Sequence, residues 1–308
     1  MPTSISSLLS RMTDLDHQDV ERTLALLLYG PPGGGKTVLG MGIAQGLLSD
    51  TGRILYIDSA AGWVSLDSFP SFKASTTHIK YEKSSDLFAL AEAVRRKTKG
   101  FEDFEVVMID ELSSIADDIL DDVVRAKHST PPGEPTPEVE GQDYRPMGQT
   151  VHQAVVAFQK AGLHVIIVAH DSNWTDKQKN VNYNPSLSPK LRAKLQGLMH
   201  VTGRVTAEIG GTVAKPVYTR TVQAAPSARV EAKTRIGALR ESTKISFKDF
   251  TEVVVDWVWG EEMGEDIANE ENHELVPDRL PEDVIEESVP ATDSDDDDEP
   301  AFVGSDDE

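Results

Sequence analysis

Four short runs of mostly apolar residues mark the first part of the chain. They occupy Thr23–Tyr29, Arg53–Asp58, Glu105–Asp110 and His164–Ala169. Continuous apolar runs of this length are typical of strands that are buried on both faces of a parallel sheet. We therefore expect four parallel strands in this part of the chain.

The segments between these runs carry apolar residues at helical spacing. In Ser84–Lys97, the residues that share one face are Leu87, Leu90, Ala91 and Val94, a pattern that predicts an amphipathic helix. Similar patterns predict helices at Lys36–Leu48, Ser113–Lys127 and Gly148–Lys160. Since strands alternate with helices, the sequence predicts an α/β fold with a mostly parallel sheet.

The pattern changes after the fourth run. The polar segment Asp171–Leu187 predicts a mobile loop, and Ser188–Met199 predicts a helix with Ser188 as its N-cap. Alternating and β-branched residues then predict antiparallel strands at Val201–Ile209, Pro216–Gln223 and Ala228–Thr234. We expect the first two of these strands to join across Gly210–Gly211. Val253–Trp259 is expected to close the fold as a strand or a helix.

Charge is distributed unevenly along the chain. The net charge of the 308 residues is −22, but residues 261–308 alone hold 21 acidic residues and one basic residue. Residues 1–260 hold 31 acidic and 29 basic residues, so this part is nearly neutral. An acidic segment that is poor in aromatic residues predicts disorder. We expect a lead-in at 1–22, a folded domain at 23–260 and a disordered acidic tail at 261–308.

Three further features bear on the location of the protein. The chain has no cysteine, which excludes disulfides and thiolate metal sites. Its apolar runs are shorter than a membrane span, and no basic and then apolar leader follows Met1. These features predict a cytoplasmic protein with no membrane segment.

The first apolar run leads into a glycine-rich segment that fits the phosphate-binding pattern GxxxxGK[ST]. Its residues are Gly30, Pro31, Pro32, Gly33, Gly34, Gly35, Lys36 and Thr37. We expect the backbone N–H groups of this loop, up to Val38, to surround the β-phosphate of a nucleoside triphosphate. Lys36 is expected to reach the β- and γ-phosphates, and the Thr37 hydroxyl to bind Mg²⁺. The pattern therefore predicts a site for ATP and Mg²⁺.

Ionisable residues follow the other apolar runs. Asp110 ends the third run and is expected to hold Mg²⁺ through water, and Asp58 ends the second run as another candidate metal ligand. Glu111 is either the general base for the attacking water or an exposed helix-start residue favoured by the helix dipole. His170 ends the fourth run, either as a sensor of the γ-phosphate or as a solvated strand-end residue.

The order of these motifs resembles that of the RecA-like ATPases, over about Thr23 to Thr243. More closely, the chain resembles the phage-encoded RecA-like ATPases of the Sak four group, which are single-strand annealing recombinases. The resemblance rests on GPPGGGKT, RILYIDS, VVMIDELSS, QDYRPMGQ, VIIVAHD and VEAKTRIGAL. It implies a RecA-like core, ATP hydrolysis, binding of single-stranded DNA, and a role in annealing or in recombination and repair. A phage origin would place the protein in the host cytoplasm.

The resemblance also implies roles for later residues. Lys233 and Arg235 match the basic residues with which one subunit of a RecA-like filament reaches the γ-phosphate of the next. The chain is therefore expected to form a homo-oligomer, either a ring or a filament. The DNA-binding loops of the family correspond to about Ser129–Met147 and Asp171–Lys190.

The second of these expected DNA loops has a composition that suits a single strand. Lysines that contact phosphates lie beside aromatic residues that stack on bases. The alternative interpretation is a solvated loop with one packed tryptophan. The candidate residues are Asn173, Trp174, Lys177, Lys179, Asn182 and Tyr183.

Two features depart from the family pattern. RecA-like proteins usually have a glutamate just after the second-strand aspartate, at the place where this chain has Ala60. Either Glu111 has taken that role or hydrolysis is slow. The first expected DNA loop is acidic, with Glu134, Glu138, Glu140 and Asp143.

Two other functions remain open from the sequence. One is an AAA-type remodeller such as a helicase loader, which Asp110–Glu111 suits better, although no separate helical lid domain follows the fourth run. The other is an ATP-gated DNA-binding switch with little hydrolysis. The acidic tail is a solvated segment, a cover for the DNA-binding surface, or a ligand of a basic partner with Phe302 as its anchor. A single-strand-binding protein is also a candidate partner.

Overall fold

A ten-stranded sheet forms the centre of the computed structural model, which describes residues 22–131, 133–212 and 215–260. In chain order the strands are β1 (Ala25–Gly30), β2 (Arg53–Asp58), β3 (Thr76–Lys80), β4 (Phe104–Asp110), β5 (His164–Thr175), β6 (Val181–Pro185), β7 (Val201–Thr212), β8 (Lys215–Gln223), β9 (Lys233–Thr234) and β10 (Ile245–Ser246). The α-helices are α1 (Lys36–Gly46), α2 (Pro70–Ala74), α3 (Ser84–Arg95), α4 (Leu112–His128), α5 (Tyr144–Lys160), α6 (Pro189–Leu198) and α7 (Phe247–Trp259). Short 3₁₀ helices lie at Gly62–Leu66 and Gly237–Leu239.

The strand order is β10-β8-β7-β1-β5-β4-β2-β3, with β6 beside β5 and β9 beside β7. The six strands from β7 to β3 in this order are parallel to their neighbours. The strands β6, β8, β9 and β10 pair antiparallel. The predicted α/β fold, with a mostly parallel sheet and antiparallel strands towards its C-terminal end, is confirmed.

Helices cover both faces of the parallel part of the sheet. In β1, Leu26 and Leu28 belong to the core cluster that contains residues of α1, α2 and α7. Leu27 and Tyr29 belong to the cluster that contains residues of α3, α4, α5 and α6. Because successive side chains point to opposite faces and both faces are covered, neither set meets water. This burial explains why the run is apolar at every position.

The polar segment after the fourth run is a β-hairpin, so the prediction of a mobile loop at Asp171–Leu187 was wrong. Strand β5 continues past Ala169, and Asp171 pairs with Pro185 while Thr175 pairs with Val181. Polar residues occupy both faces of this hairpin. Strand β6 does alternate between apolar and polar residues, but it buries Asn182 and Asn184 and exposes Val181, so the pattern does not indicate a buried apolar face.

Other segments differ from their predictions in detail. Strands β7 and β8 stay paired up to Thr212 and Lys215, so they do not reverse at Gly210–Gly211. Val253–Trp259, for which strand and helix were both open, belongs to α7. Of Ala228–Thr234, only the last two residues form a strand. Ser188 precedes α6 but makes no capping hydrogen bond with its side chain.

The two ends of the chain lie outside the described residues. These are residues 1–21 of the expected lead-in and the whole of the expected acidic tail, 261–308. The proposed domain boundaries therefore stay predictions. Among the helices of the described ranges, none has the length and apolar character needed to cross a membrane.

Two histidines hold the start of β1. The backbone N–H of Leu24 donates to Nδ1 of His164 at 3.0 Å, and that of Ala25 donates to Nδ1 of His200 at 2.9 Å. Each ring nitrogen can accept only while it carries no proton. Burial lowers the pKa of His164 to about 4. Burial also lowers the pKa of His200, with a further contribution from the positive charge of Arg235.

We expect the protein to lose stability as the pH falls from about 6.5 towards 4. An unfolded histidine takes up a proton near pH 6.5, whereas folded His164 does so only near pH 4. The unfolded state therefore binds more protons in this window, and the free energy of unfolding falls as the pH falls. The shift corresponds to about 3 kcal/mol, which is present above pH 6.5 and lost by pH 4.

Urea denaturation at pH 7 and pH 5 measures this dependence. In the His164→Asn variant, the side-chain oxygen can still accept a hydrogen bond but the group does not titrate. The stability of this variant should change less between the two pH values than that of the wild type. An equal change in both proteins would show that His164 is not the source of the pH dependence.

Candidate functional site

The candidate residues at the strand ends meet at one edge of the sheet. In the strand register, Gly30 pairs with His170, and Asp58 pairs with Asp110. From the end of β1 the chain continues past β5 and β4 to β2, whereas after β5 it continues through β6 to β7 on the other side of β1. The connections that leave β1 and β5 therefore run in opposite directions along the sheet. In open α/β sheets, ligands bind at such a position, outside the carboxyl ends of the strands.

The glycine-rich loop connects β1 directly to α1. Gly33 and Gly35 have φ values of 72° and 90°, in a left-handed region that glycine adopts at little cost. The N–H of Gly34 donates to the carbonyl oxygen of Pro31 at 3.2 Å, which tightens the loop. In the described ranges no side chain caps α1, and the first turn of this helix contains no acidic residue. The N-terminal amides of α1 are therefore suited to bind an anion.

Lys36 lies buried over this loop, with 7% of its surface exposed. Its Nζ donates to the carbonyl oxygens of Gly30 and Pro31, both at 2.9 Å. Burial lowers the pKa of Lys36, and the nearby carboxylates of Glu111 and Asp110 oppose this shift. An anionic phosphate is a stronger partner for the ammonium group than these neutral carbonyls are.

Thr37 and Asp110 form a pair that fits Mg²⁺. Oγ1 of Thr37 donates to Oδ2 of Asp110 at 2.7 Å, and the hydroxyl of Tyr56 donates to the same oxygen at 2.8 Å. Burial raises the pKa of Asp110, and these two hydrogen bonds oppose the shift. Mg²⁺ typically binds one or two carboxylates together with phosphate oxygens and waters. The described ranges contain no group of three or more His, Cys, Asp or Glu side chains that could hold a metal alone.

Asp58 is engaged with its own loop. Its Oδ1 accepts the N–H groups of Ala60 at 3.2 Å and of Gly62 at 3.0 Å, and its Oδ2 lies 3.2 Å from Nε2 of His78. A Cβ added at Gly62 would lie 2.5 Å from Oδ2 of Asp110. Asp58 therefore holds the loop that packs on Asp110, and these contacts lend no support to its predicted role as a metal ligand.

Glu111 and His170 are in direct contact. Oε2 of Glu111 contacts Nε2 of His170, and Oε1 accepts the N–H groups of Ser113 at 3.2 Å and of His170 at 3.3 Å. Glu111 is only 3% exposed, so the alternative of an exposed helix-start residue was wrong. It is the N-cap of α4 and is buried at the site.

His170 lies within β5, which continues for five residues to Thr175. It is therefore not the strand-end residue of the alternative interpretation. Its side chain is 43% exposed, while its Nδ1 atom is buried and has no hydrogen-bond partner in the described part of the chain. The next residue, Asp171, accepts a hydrogen bond from Arg204 at 3.1 Å. The position of His170 beside Glu111 is compatible with the predicted sensor role, which stays a prediction.

Lys233 and Arg235 lie towards the opposite edge of the sheet. Thr202 of β7 pairs with both Lys233 and Leu27, and Leu27 lies three residues before Gly30, a separation of about 10 Å along a strand. Nζ of Lys233 donates to the carbonyl of Gln196, and Nη2 of Arg235 to that of Gly197 at 3.1 Å. Both residues therefore contact the last turn of α6. These contacts lie within one chain, so the predicted action of both residues on a neighbouring subunit stays a prediction.

The two expected DNA loops differ in character. In the β5–β6 hairpin, Trp174 is 55% exposed, so the alternative of a packed tryptophan was wrong. Lys177 and Lys179 are also exposed. Two other candidates in this hairpin are less accessible: Asn182 is buried, and the ring of Tyr183 lies 3.5 Å from Cζ of Arg204.

The first expected DNA loop, Ser129–Met147, is bound to the helix before it. Arg125 donates to the carbonyl oxygens of Pro131 at 3.2 Å and Glu134 at 2.8 Å. Lys127 forms ion pairs with two acidic residues of the loop, Glu140 and Asp143. These basic groups are therefore occupied within the chain.

Three residues that contact the site were not predicted from the sequence. Tyr56 stands in an apolar run like any core residue, and Ser59 bridges to the backbone of Glu111 at 2.9 Å. Arg220 comes from β8 and lies beside Gly35. Tyr56 had a weak local signal: its hydroxyl group lies two residues before Asp58, and residues two apart in a strand share a face. No local signal marked the other two.

A family model described as AAA domain matches residues 22–236. No curated protein matches the chain. The matched segment begins just before β1 and ends just after β9, so it contains the glycine-rich loop and the strand-end candidates.

Proposed function

The chain belongs to the AAA domain family of P-loop ATPases, and on this premise we propose that it couples ATP hydrolysis to the binding of single-stranded DNA. Its proposed role is annealing or recombination and repair, as in the phage proteins of the Sak four group that the sequence resembles. Mg²⁺ would be held by Thr37 and Asp110. The proposed active form is a homo-oligomer in which Lys233 and Arg235 act on the neighbouring subunit.

One strand connects the nucleotide site with the candidate DNA surface, and this observation carries the proposal. His170 on β5 contacts Glu111, and Trp174 lies four residues further along the same strand with 55% of its surface exposed. A change at His170 can therefore reach the hairpin through a continuous β-strand. Exposed tryptophans suit stacking on the bases of a single strand.

Positive charge lies in the segment that follows this hairpin. Residues 171–240 contain 12 Lys and Arg against 4 Asp and Glu, a formal charge of +8. Residues 1–170 contain 15 basic and 23 acidic residues, a formal charge of −8. Within the basic segment, residues 171–185 of the β5–β6 hairpin hold two basic and two acidic residues. The excess of positive charge therefore lies in residues 186–240, which include α6 and the β7–β8 hairpin. A basic region of this kind attracts the phosphates of nucleic acids.

The residues at the sheet edge support a simple division of roles. Lys36 and the amides of α1 would bind the phosphates and stabilise negative charge as the bond to the γ-phosphorus breaks. Bound Mg²⁺ would neutralise charge on the β- and γ-phosphate oxygens. A water oxygen attacks the γ-phosphorus, Glu111 takes the proton of that water, and ADP leaves.

His170 would link this chemistry to the hairpin. Its Nε2 now contacts Oε2 of Glu111. If Nε2 donates to the γ-phosphate instead, Oε2 becomes free to orient the water. The same exchange would move the segment of β5 that leads to Trp174.

An AAA-type remodeller is the second candidate function. It is favoured by the family match and by the buried glutamate directly after Asp110. In that case a protein partner, and not DNA, would stimulate ATP turnover. The third candidate, an ATP-gated switch, is favoured by Ala60 and predicts ATP binding with little turnover.

ATP hydrolysis with and without single-stranded DNA tests the proposal. Stimulation by single strands that disappears in Lys36→Ala would support the DNA-dependent ATPase. Turnover that does not respond to DNA would favour the remodeller. Binding of ATP without turnover would favour the switch.

We expect Trp174→Ala to weaken binding of single-stranded DNA by about ten-fold, since stacking on one base is worth about 1–3 kcal/mol. Lys177→Ala and Lys179→Ala should each weaken binding less at high salt than at low salt. Each should also reduce the slope of log affinity against log salt by about 0.7. Fluorescence anisotropy with a labelled oligonucleotide at several salt concentrations measures both effects.

Tyr144→Ala, at the first residue of α5 directly after the acidic loop, is a matched control. Tyr144 is 42% exposed, and its neighbour Asp143 is one of the acidic residues of that loop. This variant should bind DNA like the wild type. A loss of DNA binding in Tyr144→Ala, with none in Trp174→Ala, would assign the DNA site to the acidic loop.

A further inference from the structure

An arginine of the antiparallel hairpin lies against the phosphate-binding loop. A Cβ added at Gly35 would lie 3.0 Å from Cδ and 3.1 Å from Nε of Arg220. Gly35 is the last loop residue before Lys36 and the N-cap of α1. Arg220 therefore lies beside the loop of its own chain, although 184 residues separate it from Lys36 in the sequence.

Strand pairing explains this position. Val205 pairs with Val222, and Ala207 pairs with Arg220. The two valines belong to the core cluster that contains residues of α1, so Arg220, two residues before Val222, points to the same face. Phe247 of α7 bounds the position from another side, since its Cε2 would lie 3.1 Å from the same added Cβ.

Among the described residues, the guanidinium group of Arg220 has no partner of opposite charge. Nε of Arg220 is buried and has no hydrogen-bond partner in the part of the chain that the structure describes. In the described ranges no ion pair involves this arginine. The cation–π contact of Arg220 with Tyr218 is long, with Cζ 5.8 Å from the centre of the ring.

Other positive groups lie at the same end of α1. The N-terminus of α1 carries a partial positive charge from the helix dipole, and Lys36 is the first residue of this helix. The carboxylates of Glu111 and Asp110 act on Lys36. Cationic groups that converge on one loop repel each other until an anion lies between them. Guanidinium groups bind phosphate oxygens with several charge-assisted hydrogen bonds.

We infer that Arg220 is a phosphate-binding residue of the nucleotide site that acts within its own subunit. It ties the β7–β8 hairpin to the polyphosphate of the bound nucleotide. The inference rests on the proposed nucleotide site and adds a cation that lies outside the GxxxxGK[ST] motif. It is also distinct from Lys233 and Arg235, which contact the last turn of α6.

Binding of ATP with Mg²⁺ by calorimetry tests the inference in Arg220→Gln, Arg220→Lys and Arg240→Gln. Arg220→Gln should raise the Kd for ATP by about ten-fold or more, since a hydrogen bond to a charged group is worth about 1.5–3 kcal/mol. Arg220→Lys should regain part of this loss because it restores the charge. Arg240 is exposed, so Arg240→Gln makes the same charge change away from the loop and should leave the Kd unchanged.

A second measurement does not depend on the stability of a variant. Amide hydrogen exchange in Tyr218–Val222 should slow when ATP or inorganic tripolyphosphate binds to the wild type. The slowing should be absent in Arg220→Gln, whose fold is checked by circular dichroism. Wild-type protein that binds ATP with no slowing in this segment would overturn the inference.

Lys36→Ala separates failure of the inference from failure of the proposed function. If Lys36→Ala loses ATP and Arg220→Gln binds it as the wild type does, the nucleotide site stands and the inference is wrong. If Lys36→Ala also binds ATP as the wild type does, the proposed nucleotide site is wrong, and the inference falls with it.

Discussion

Replacing Lys36 with alanine is expected to lower the rate of ATP hydrolysis by a factor of about 10² to 10³, the usual cost of removing a group that stabilises transition-state charge. Nζ of Lys36 contacts the start of the glycine-rich loop, 2.9 Å from the carbonyl oxygens of Gly30 and Pro31. An ammonium group held there can move to a phosphate with little loss of side-chain freedom. Release of inorganic phosphate at saturating ATP measures the effect.

Lys99→Ala is the matched control for this prediction. Lys99 is exposed in the turn after α3, so its removal makes the same change in charge far from the loop. It should leave turnover unchanged. Equal turnover in Lys36→Ala and the wild type would place the ATPase site elsewhere in the protein.

Glu111→Gln is expected to lower the rate of hydrolysis by a factor of about 10² to 10⁴, the range for loss of a general base. Glutamine has the same shape and its oxygen still accepts the N–H groups that Oε1 of Glu111 accepts, those of Ser113 and His170. It cannot take the proton of the attacking water. We therefore expect ATP to bind with unchanged affinity while the turnover number falls.

The affinity for ATP and the turnover number must be measured together for this variant. Glu138→Gln, in the exposed acidic loop, is the matched control and should change neither quantity. Unchanged turnover in Glu111→Gln would mean that another group activates the water. Reduced ATP affinity with unchanged turnover would assign Glu111 a structural role as the N-cap of α4 alone.

These variants also address the alanine after the second strand. Ala60 donates its backbone N–H to Asp58 at 3.2 Å and has no group that could activate water. The buried carboxylate of Glu111 follows the adjacent strand β4, at the same edge of the sheet. A catalytic base on β4 in place of one after β2 is therefore compatible with the geometry of the site.

Two kinds of feature were predictable from the sequence because they depend only on neighbouring residues. The glycine-rich loop is one, since the spacing of its glycines, Lys36 and Thr37 is itself the phosphate-binding geometry. The other is the set of parallel strands, because continuous apolar character follows from burial on both faces. The family match over 22–236 agrees with both.

Other features were predicted wrongly or not at all, because they depend on contacts between residues that are far apart in the sequence. The β5–β6 hairpin is polar on both faces, and β6 buries two asparagines, so no apolar face marks its strands in the sequence. Glu111 and His170 were separate candidates until the pairing of β4 with β5 brought them into contact. Asp58 ends its strand as expected, but its carboxylate binds the loop after it.

The sequence by itself determined that this protein has a phosphate-binding loop between a buried strand and a helix. The tertiary structure decided what surrounds that loop. Adjacent strands lie only about 4.8 Å apart, so the choice of neighbour and register sets every contact across them. That choice brings Tyr56 to Asp110 and Arg220 to Gly35, and it separates Lys233 and Arg235 from the phosphate loop of their own chain.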